Sequence, residues 1–124
     1  PELLGTLDTA GIPTCIASNG SEAKMRITLG QNGIWNRFQD RVFSAHRLGV
    51  AKPDPDLFLA AAAHFDQRPQ NCVVIEDSVS GATAAARAGM RCLGYAPGHD
   101  GARMAELGAQ VFGDMADVPR LLCL

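Results

Sequence analysis

Several kinds of feature are missing from these 124 residues, and each absence narrows what the chain can be. Positive charge is not in excess: 11 Lys and Arg stand against 13 Asp and Glu, with both signs interspersed and a formal net charge of −2. A nucleic-acid surface needs a basic stripe, so nucleic acid is not an expected partner. No apolar run approaches the roughly 20 residues of a membrane span. No basic-then-apolar leader opens the chain, so no membrane is expected either. Four cysteines are present, Cys15, Cys72, Cys92 and Cys123, and none forms a Cys-x-x-Cys pair. The first three lie in or beside apolar strand-like runs. That usage suits small buried hydrophobes in a reducing compartment better than a disulfide frame or a zinc site, and it points to the cytoplasm. Repeats and low-complexity tracts are absent. The first residue is Pro1 rather than Met, so the start reads as a cut, a processed end or an N-terminus left out.

What is present is enough for one domain with a real core, since 47% of the residues are apolar. Strand-like and helix-like segments alternate. A helix end over Pro1–Ala10, with Leu3, Leu4 and Leu7 on one face, stops at Gly11. A strand over Thr14–Ser18 follows, then a weaker helix from Ser21 to about Leu29, and a strand over Arg41–Ser44. Asp54, Pro55 and Asp56 suit a helix start as N-cap, first turn and dipole partner. That helix runs to about Phe65, with Leu57, Ala60, Ala61 and His64 spaced for one face. Cys72–Glu76 is a third strand, expected to be buried on both sides. An Ala-rich helix ending at Gly89, a strand over Arg91–Tyr95, a short helix over Ala102–Leu107, an edge strand over Gln110–Phe112 and a last turn over Val118–Leu122 complete the pattern. Short apolar strands alternating with helices mean βαβ units and a parallel α/β sheet.

The chemistry concentrates just past three strands. Val73-Val74-Ile75 ends abruptly in Glu76-Asp77-Ser78, two adjacent carboxylates that repel unless a cation lies between them; Mg²⁺, with its preference for oxygen ligands, is the expected one. Ser18 follows Cys15-Ile16-Ala17, and Lys52 lies several residues past Phe43. In a parallel sheet all of these project from the carboxyl edge, where open α/β folds bind ligands. A serine hydroxyl and the Asn19 backbone N–H can hold phosphate oxygens, a lysine adds fixed positive charge, and two acids can hold a metal. Phosphoryl transfer needs mainly such positioning and neutralisation. No residue in the set is an obvious nucleophile.

Ser18-Asn19, Lys52-Pro53-Asp54-Pro55-Asp56-Leu57-Phe58 and Ile75-Glu76-Asp77-Ser78, with Gly81 and Ala88-Gly89-Met90 beyond, resemble three of the four motifs of the haloacid-dehalogenase (HAD) superfamily. The wording is closest to the β-phosphoglucomutase-like and sugar-phosphate phosphatase branch, and the likeness runs over about residues 10 to 115. The resemblance implies a Rossmann-like core with a parallel sheet and helices on both faces. It implies phosphate binding by Ser18, Asn19 and Lys52, with Ser18 and Lys52 the catalytic members, and a Mg²⁺ site completed by Glu76 and Asp77. The family's first motif, which supplies a nucleophilic aspartate, has only a faint echo in Leu7-Asp8-Thr9, and the substrate-selecting cap is missing. On this reading residues 1–124 are the C-terminal portion of a HAD core, incomplete for want of the central N-terminal strand and the cap. The strands flanking that gap are left with open edges, through which the fragment could self-associate.

The implied activity is Mg²⁺-dependent phosphate-ester hydrolysis on a small phosphorylated metabolite, expected to be a sugar phosphate, through an aspartyl-phosphate formed outside this chain; the fragment alone is expected to be inactive. A sugar phosphomutase shares the same core. A non-catalytic phosphate- or Mg²⁺-binding module is the reading if the 124 residues are the whole product. A phospho-acceptor signalling domain fits poorly, because none of Asp40, Asp66 or Asp100 ends a strand. Blander roles compete for single residues: Ser78 as a helix cap in preference to a support for the metal site, Ser18 and Asn19 as turn formers, Trp35 and Phe38 as core anchors, Arg87 and Arg91 as solvated charges. His46, His64 and His99 lack metal spacing and read as surface or helix-face residues.

Overall fold

The computed structural model describes residues 2–19, 38, 41–44, 48, 49, 51–99 and 101–124. The helix expected from Ser21, Trp35 and His46 lie outside these residues. In chain order the described elements are α1 (Glu2–Thr9), β1 (Ile16–Ser18), β2 (Val42–Ser44), α2 (Asp56–His64), β3 (Val73–Glu76), α3 (Val79–Ala88), β4 (Arg91–Tyr95), α4 (Ala102–Glu106), β5 (Gln110–Phe112) and α5 (Val118–Leu121), with 3₁₀ turns at Pro69–Asn71 and Met115–Asp117.

Every strand pairing is parallel, as the βαβ pattern requires. β1 pairs with β2, Ile16 opposite Val42 and Ser18 opposite Ser44. β3, β4 and β5 form a second sheet in that order, Glu76 opposite Gly94 and Tyr95 opposite Phe112. Among the described residues β1 and β3 each have a strand partner on one side only. β4 shows how two-sided burial works: Cys92 joins one cluster with Phe58, Ala62, Ala82, Ala85 and Met104 from α2, α3 and α4. The next residue, Leu93, turns to the opposite face, against Phe112, Val118 and Leu3. Helices therefore cover both faces of this sheet. Leu57, Leu93 and Val118 are fully buried, and each contributes about 2 kcal/mol by leaving water.

β3 departs from its expected burial. Val73 and Ile75 are 40% and 37% exposed, while Val74 and Glu76 turn inward. The apolar run reads as two-sided, yet among the described residues only one of its faces is covered. The stripe of α2 is also shifted: Leu57, Phe58, Ala61 and Ala62 are buried, whereas Ala60 is half-buried and His64 is exposed. At about 100° per residue the buried set spans about 140° of the helix and is rotated toward Phe58 and Ala62, away from the narrower arc of about 100° read from Leu57, Ala60, Ala61 and His64. His64 instead sets its ring edge against Phe43 and Phe65. Helix α2 starts at Asp56 with Pro55, not the expected Asp54, at its N-cap and no side-chain capping bond; one residue earlier, the Asp54 carboxylate accepts the Asp56 N–H at 2.9 Å and so still orders the turn into the helix. Phe38 is buried as expected. Arg91 is not simply solvated: it donates to Gln110 Oε1 and to the Leu121 carbonyl, tying β4 to β5 and α5.

α3 is built for close approach to the sheet. Ala82, Ala84, Ala85 and Ala88 are buried on its inner side. Ser78 caps its start by accepting the Gly81 N–H. Gly89, at φ 75°, closes its end in the left-handed conformation that glycine adopts without strain.

All four cysteines are free. Burial pushes the Cys92 thiol from its ordinary 9.0 up to about 11, helped by the Glu76 charge. Burial also raises Cys15 to about 11, against a lowering pull from Arg41. An unfolded thiol ionises near pH 9, whereas these stay protonated to about 11, so unfolding releases protons between those values. Their contribution to stability is complete below pH 9 and is lost as pH rises toward 11. The denaturation midpoint is expected to fall across that window and to fall less in Cys92→Ala; an identical slope in the variant would show that Cys92 is not the cause.

Candidate functional site

The carboxyl ends of β1 and β3 carry the residues singled out in the sequence. Ser18 is the last residue of β1 and Asn19 follows it. The Asn19 side chain reaches across to the loop before α2 and grips the Lys52 backbone at both polar groups: Oδ1 accepts the Lys52 N–H at 2.8 Å, and Nδ2 donates to its carbonyl at 3.4 Å. From there the Lys52 side chain runs to the end of β3, where Nζ donates to Glu76 Oε2 at 2.6 Å. Both side chains of this ion pair are only 10% exposed. The Phe58 ring centroid lies 5.1 Å from the ammonium, a cation–π contact.

Glu76 is held at its other oxygen as well. Oε1 accepts from the Ser78 hydroxyl at 3.1 Å and from the Asp77 N–H at 3.3 Å. A β-carbon on Gly81 would overlap the Glu76 side chain at Cγ, Cδ and Oε2. The absent side chain of Gly81 is therefore the space in which the carboxylate sits. Asp77 is exposed, and among the described residues its carboxylate has no hydrogen-bond partner. It lines a cleft of about 220 Å³ together with Ile75, Glu76, Tyr95 and Met115. A larger recess of about 680 Å³ lies against α1, lined by Gly5, Thr6, Thr9 and Ala10. Among the described residues its lining carries no charged group, whereas the smaller cleft is bordered by two carboxylates.

Thus Asn19, Lys52 and Glu76 are joined by direct hydrogen bonds, Asp77 adjoins them through its backbone, and Ser18 ends the strand that leads into Asn19. No group of three His, Cys, Asp or Glu side chains gathers as a metal cluster among the described residues. Two carboxylates still suit Mg²⁺, which keeps several waters and commonly takes one or two acids plus a substrate phosphate. Three features escaped the reading of the sequence: the Asn19 grip on the Lys52 backbone, Phe58 beneath the ammonium, and the clearance at Gly81; Ser78, read as a helix cap in preference to a support for the metal site, makes both the cap and a bond to Glu76. Only the clearance at Gly81 had a local signal, a glycine inside a helix where alanine is the better former.

The family model of the haloacid dehalogenase-like hydrolases matches residues 1–89. The chain belongs to this family. It is 37% identical over 78 residues to the 6-phosphogluconate phosphatase of Escherichia coli, covering 63% of this chain and 35% of that protein. To the β-phosphoglucomutase of Bacillus subtilis it is 47% identical over 51 residues, 41% of this chain and 23% of that one. The crystal structure of a HAD family hydrolase from Deinococcus radiodurans, with bound phosphate and sodium, superposes with a TM-score of 0.90 at 33% identity, over 98% of this chain and 56% of that one. The chain therefore spans about a third of the phosphatase and just over half of the Deinococcus protein. The HAD chain also carries no described helix long and apolar enough to cross a membrane.

Proposed function

We propose that the full-length protein is a Mg²⁺-dependent cytoplasmic phosphohydrolase acting on a small phosphorylated metabolite, a sugar phosphate by chemical class. Its nucleophilic aspartate would come from a segment outside these 124 residues. The observation that carries the reading is the chain of contacts from Asn19 through Lys52 to Glu76 at the carboxyl ends of two parallel strands. The Ser18 hydroxyl and the Asn19 backbone N–H would hold phosphoryl oxygens. Lys52, its backbone gripped by Asn19 and its ammonium fixed by Glu76, would set a positive charge beside them with little reorganisation, the condition under which electrostatic stabilisation is most effective. Glu76 and Asp77 would hold Mg²⁺, which supplies further neutralisation of phosphoryl charge when bound. The likeness to a β-phosphoglucomutase supports a second reading, sugar phosphomutase activity, in which the phosphoryl group returns to sugar instead of passing to water.

The test is a panel of small phosphate esters presented to the full-length gene product with Mg²⁺ or with EDTA. Mg²⁺-dependent phosphate release from a sugar phosphate is expected. Isomerised sugar phosphate without phosphate release would select the mutase, and no turnover of any ester would reject both readings. The isolated 124-residue chain would be inactive, and it would self-associate through the sides of β1 and β3 that have no strand partner among the described residues and through the exposed Val73 and Ile75. A cooperatively melting monomer in sedimentation at micromolar concentration would reject the self-association.

A further inference from the structure

We propose that Ser78 is a positioning residue for the metal-holding carboxylate of Glu76, a role that rests on the Mg²⁺ reading of the site. As the N-cap of α3, the Ser78 oxygen accepts the Gly81 N–H at 3.1 Å. The same oxygen lies 3.1 Å from Glu76 Oε1. An ionised carboxylate can only accept, and a hydroxyl has one hydrogen. With the oxygen engaged by the helix, that hydrogen is directed at Glu76. Ser80 Oγ, 3.4 Å from Ser78 Oγ, can donate to it without competing for Oε1.

The consequence is a carboxylate held at both ends, Oε2 by Lys52 and Oε1 by Ser78 and the Asp77 N–H. Three of the roughly four lone-pair sites of the carboxylate are then engaged, and the one left, on Oε2, points in a fixed direction. With the Lys52 contact alone, the group is free to swing about Oε2, and its geometry toward a cation is lost. The capping bond that starts α3 and the bond that aims Glu76 therefore share one hydroxyl, which couples the onset of the helix to the orientation of a ligand.

Capping and positioning separate by substitution. Alanine at an N-cap costs helix stability, whereas glycine costs little, yet both remove the hydroxyl donor; threonine keeps both bonds. In the full-length protein, Mg²⁺ affinity measured by calorimetry without substrate is expected to fall about tenfold or more in both Ser78→Ala and Ser78→Gly, the range found for partners of metal ligands. Ser78→Thr is expected to stay within about twofold of the parent, and Ser78→Ala to melt below Ser78→Gly. If the parent binds Mg²⁺ and Ser78→Gly binds it equally well, the positioning role is wrong and the cap is the whole function of the residue. A loss in Ser78→Thr as large as in Ser78→Gly would also overturn it. A parent protein that binds no Mg²⁺ would instead overturn the metal reading of the site, and this role with it.

Discussion

Gly81→Ala is expected to lower turnover by the full-length protein at least about 100-fold, the scale of losing one preorganised charge contact, and to lower its melting temperature as well, because the buried Lys52–Glu76 pair is broken. In isolation the substitution should help: alanine is the better helix former by about 1 kcal/mol. The new methyl group, however, falls on the Glu76 side chain from Cγ outward. Rotating only the carboxylate cannot clear it; the whole side chain must leave, and the 2.6 Å bond to Lys52 goes with it. The backbone can stay, because the contact is with a side chain at the sheet edge and not with another strand or helix. A variant with normal kcat would mean that Glu76 need not occupy the place the structure gives it.

The second large effect is expected from Lys52→Met, in two separable parts. Removing the ammonium leaves the Glu76 carboxylate, 10% exposed, without its ionic partner; breaking a buried pair from one side costs about 3 kcal/mol. Turnover is expected to fall about 1000-fold, through kcat rather than KM, because the charge acts on the transferring phosphoryl group. Adding Glu76→Gln removes the stranded charge, so Lys52→Met/Glu76→Gln is expected to regain most of the melting temperature and none of the activity. Stability that does not recover in the double variant would show that the cost lies in packing around the methylene stem of Lys52. Unchanged kcat in the single variant would remove Lys52 from the chemistry.

The fold was largely legible because its strands announce themselves. Each of Ile16–Ser18, Val42–Ser44, Val73–Glu76 and Arg91–Tyr95 lies in a short run bounded by turn residues, and α2 and α3 separate the last three, so parallel pairing follows from connectivity. Burial was less legible. Val73-Val74-Ile75 is apolar at every position, and such a run does not say which of its faces is covered; Val73 and Ile75 prove exposed. The stripe on α2 was misjudged because Ala60 and Ala61 carry no contrast in size or polarity, and Phe58, which decides the facing, was counted as part of a motif. At the site, the chemically distinctive side chains stood out: a lysine before Pro-Asp-Pro-Asp, and two acids ending a strand. The contacts that hold them did not. Asn19 and Lys52 are 33 residues apart, and nothing local in either segment marks an amide that binds the other's backbone.

Lys52 has one further consequence. Its main chain is fastened to the end of the two-stranded sheet through Asn19, and its side chain to the end of the three-stranded sheet through Glu76. One residue is thus a tie-rod between two strand pairings that share no ladder bonds among the described residues. Its length in the extended form sets how far the halves can separate before a hydrogen bond breaks. Any change in the distance between the two strand ends is then felt at the ammonium, so the spacing of the sheets and the position of the charge vary together.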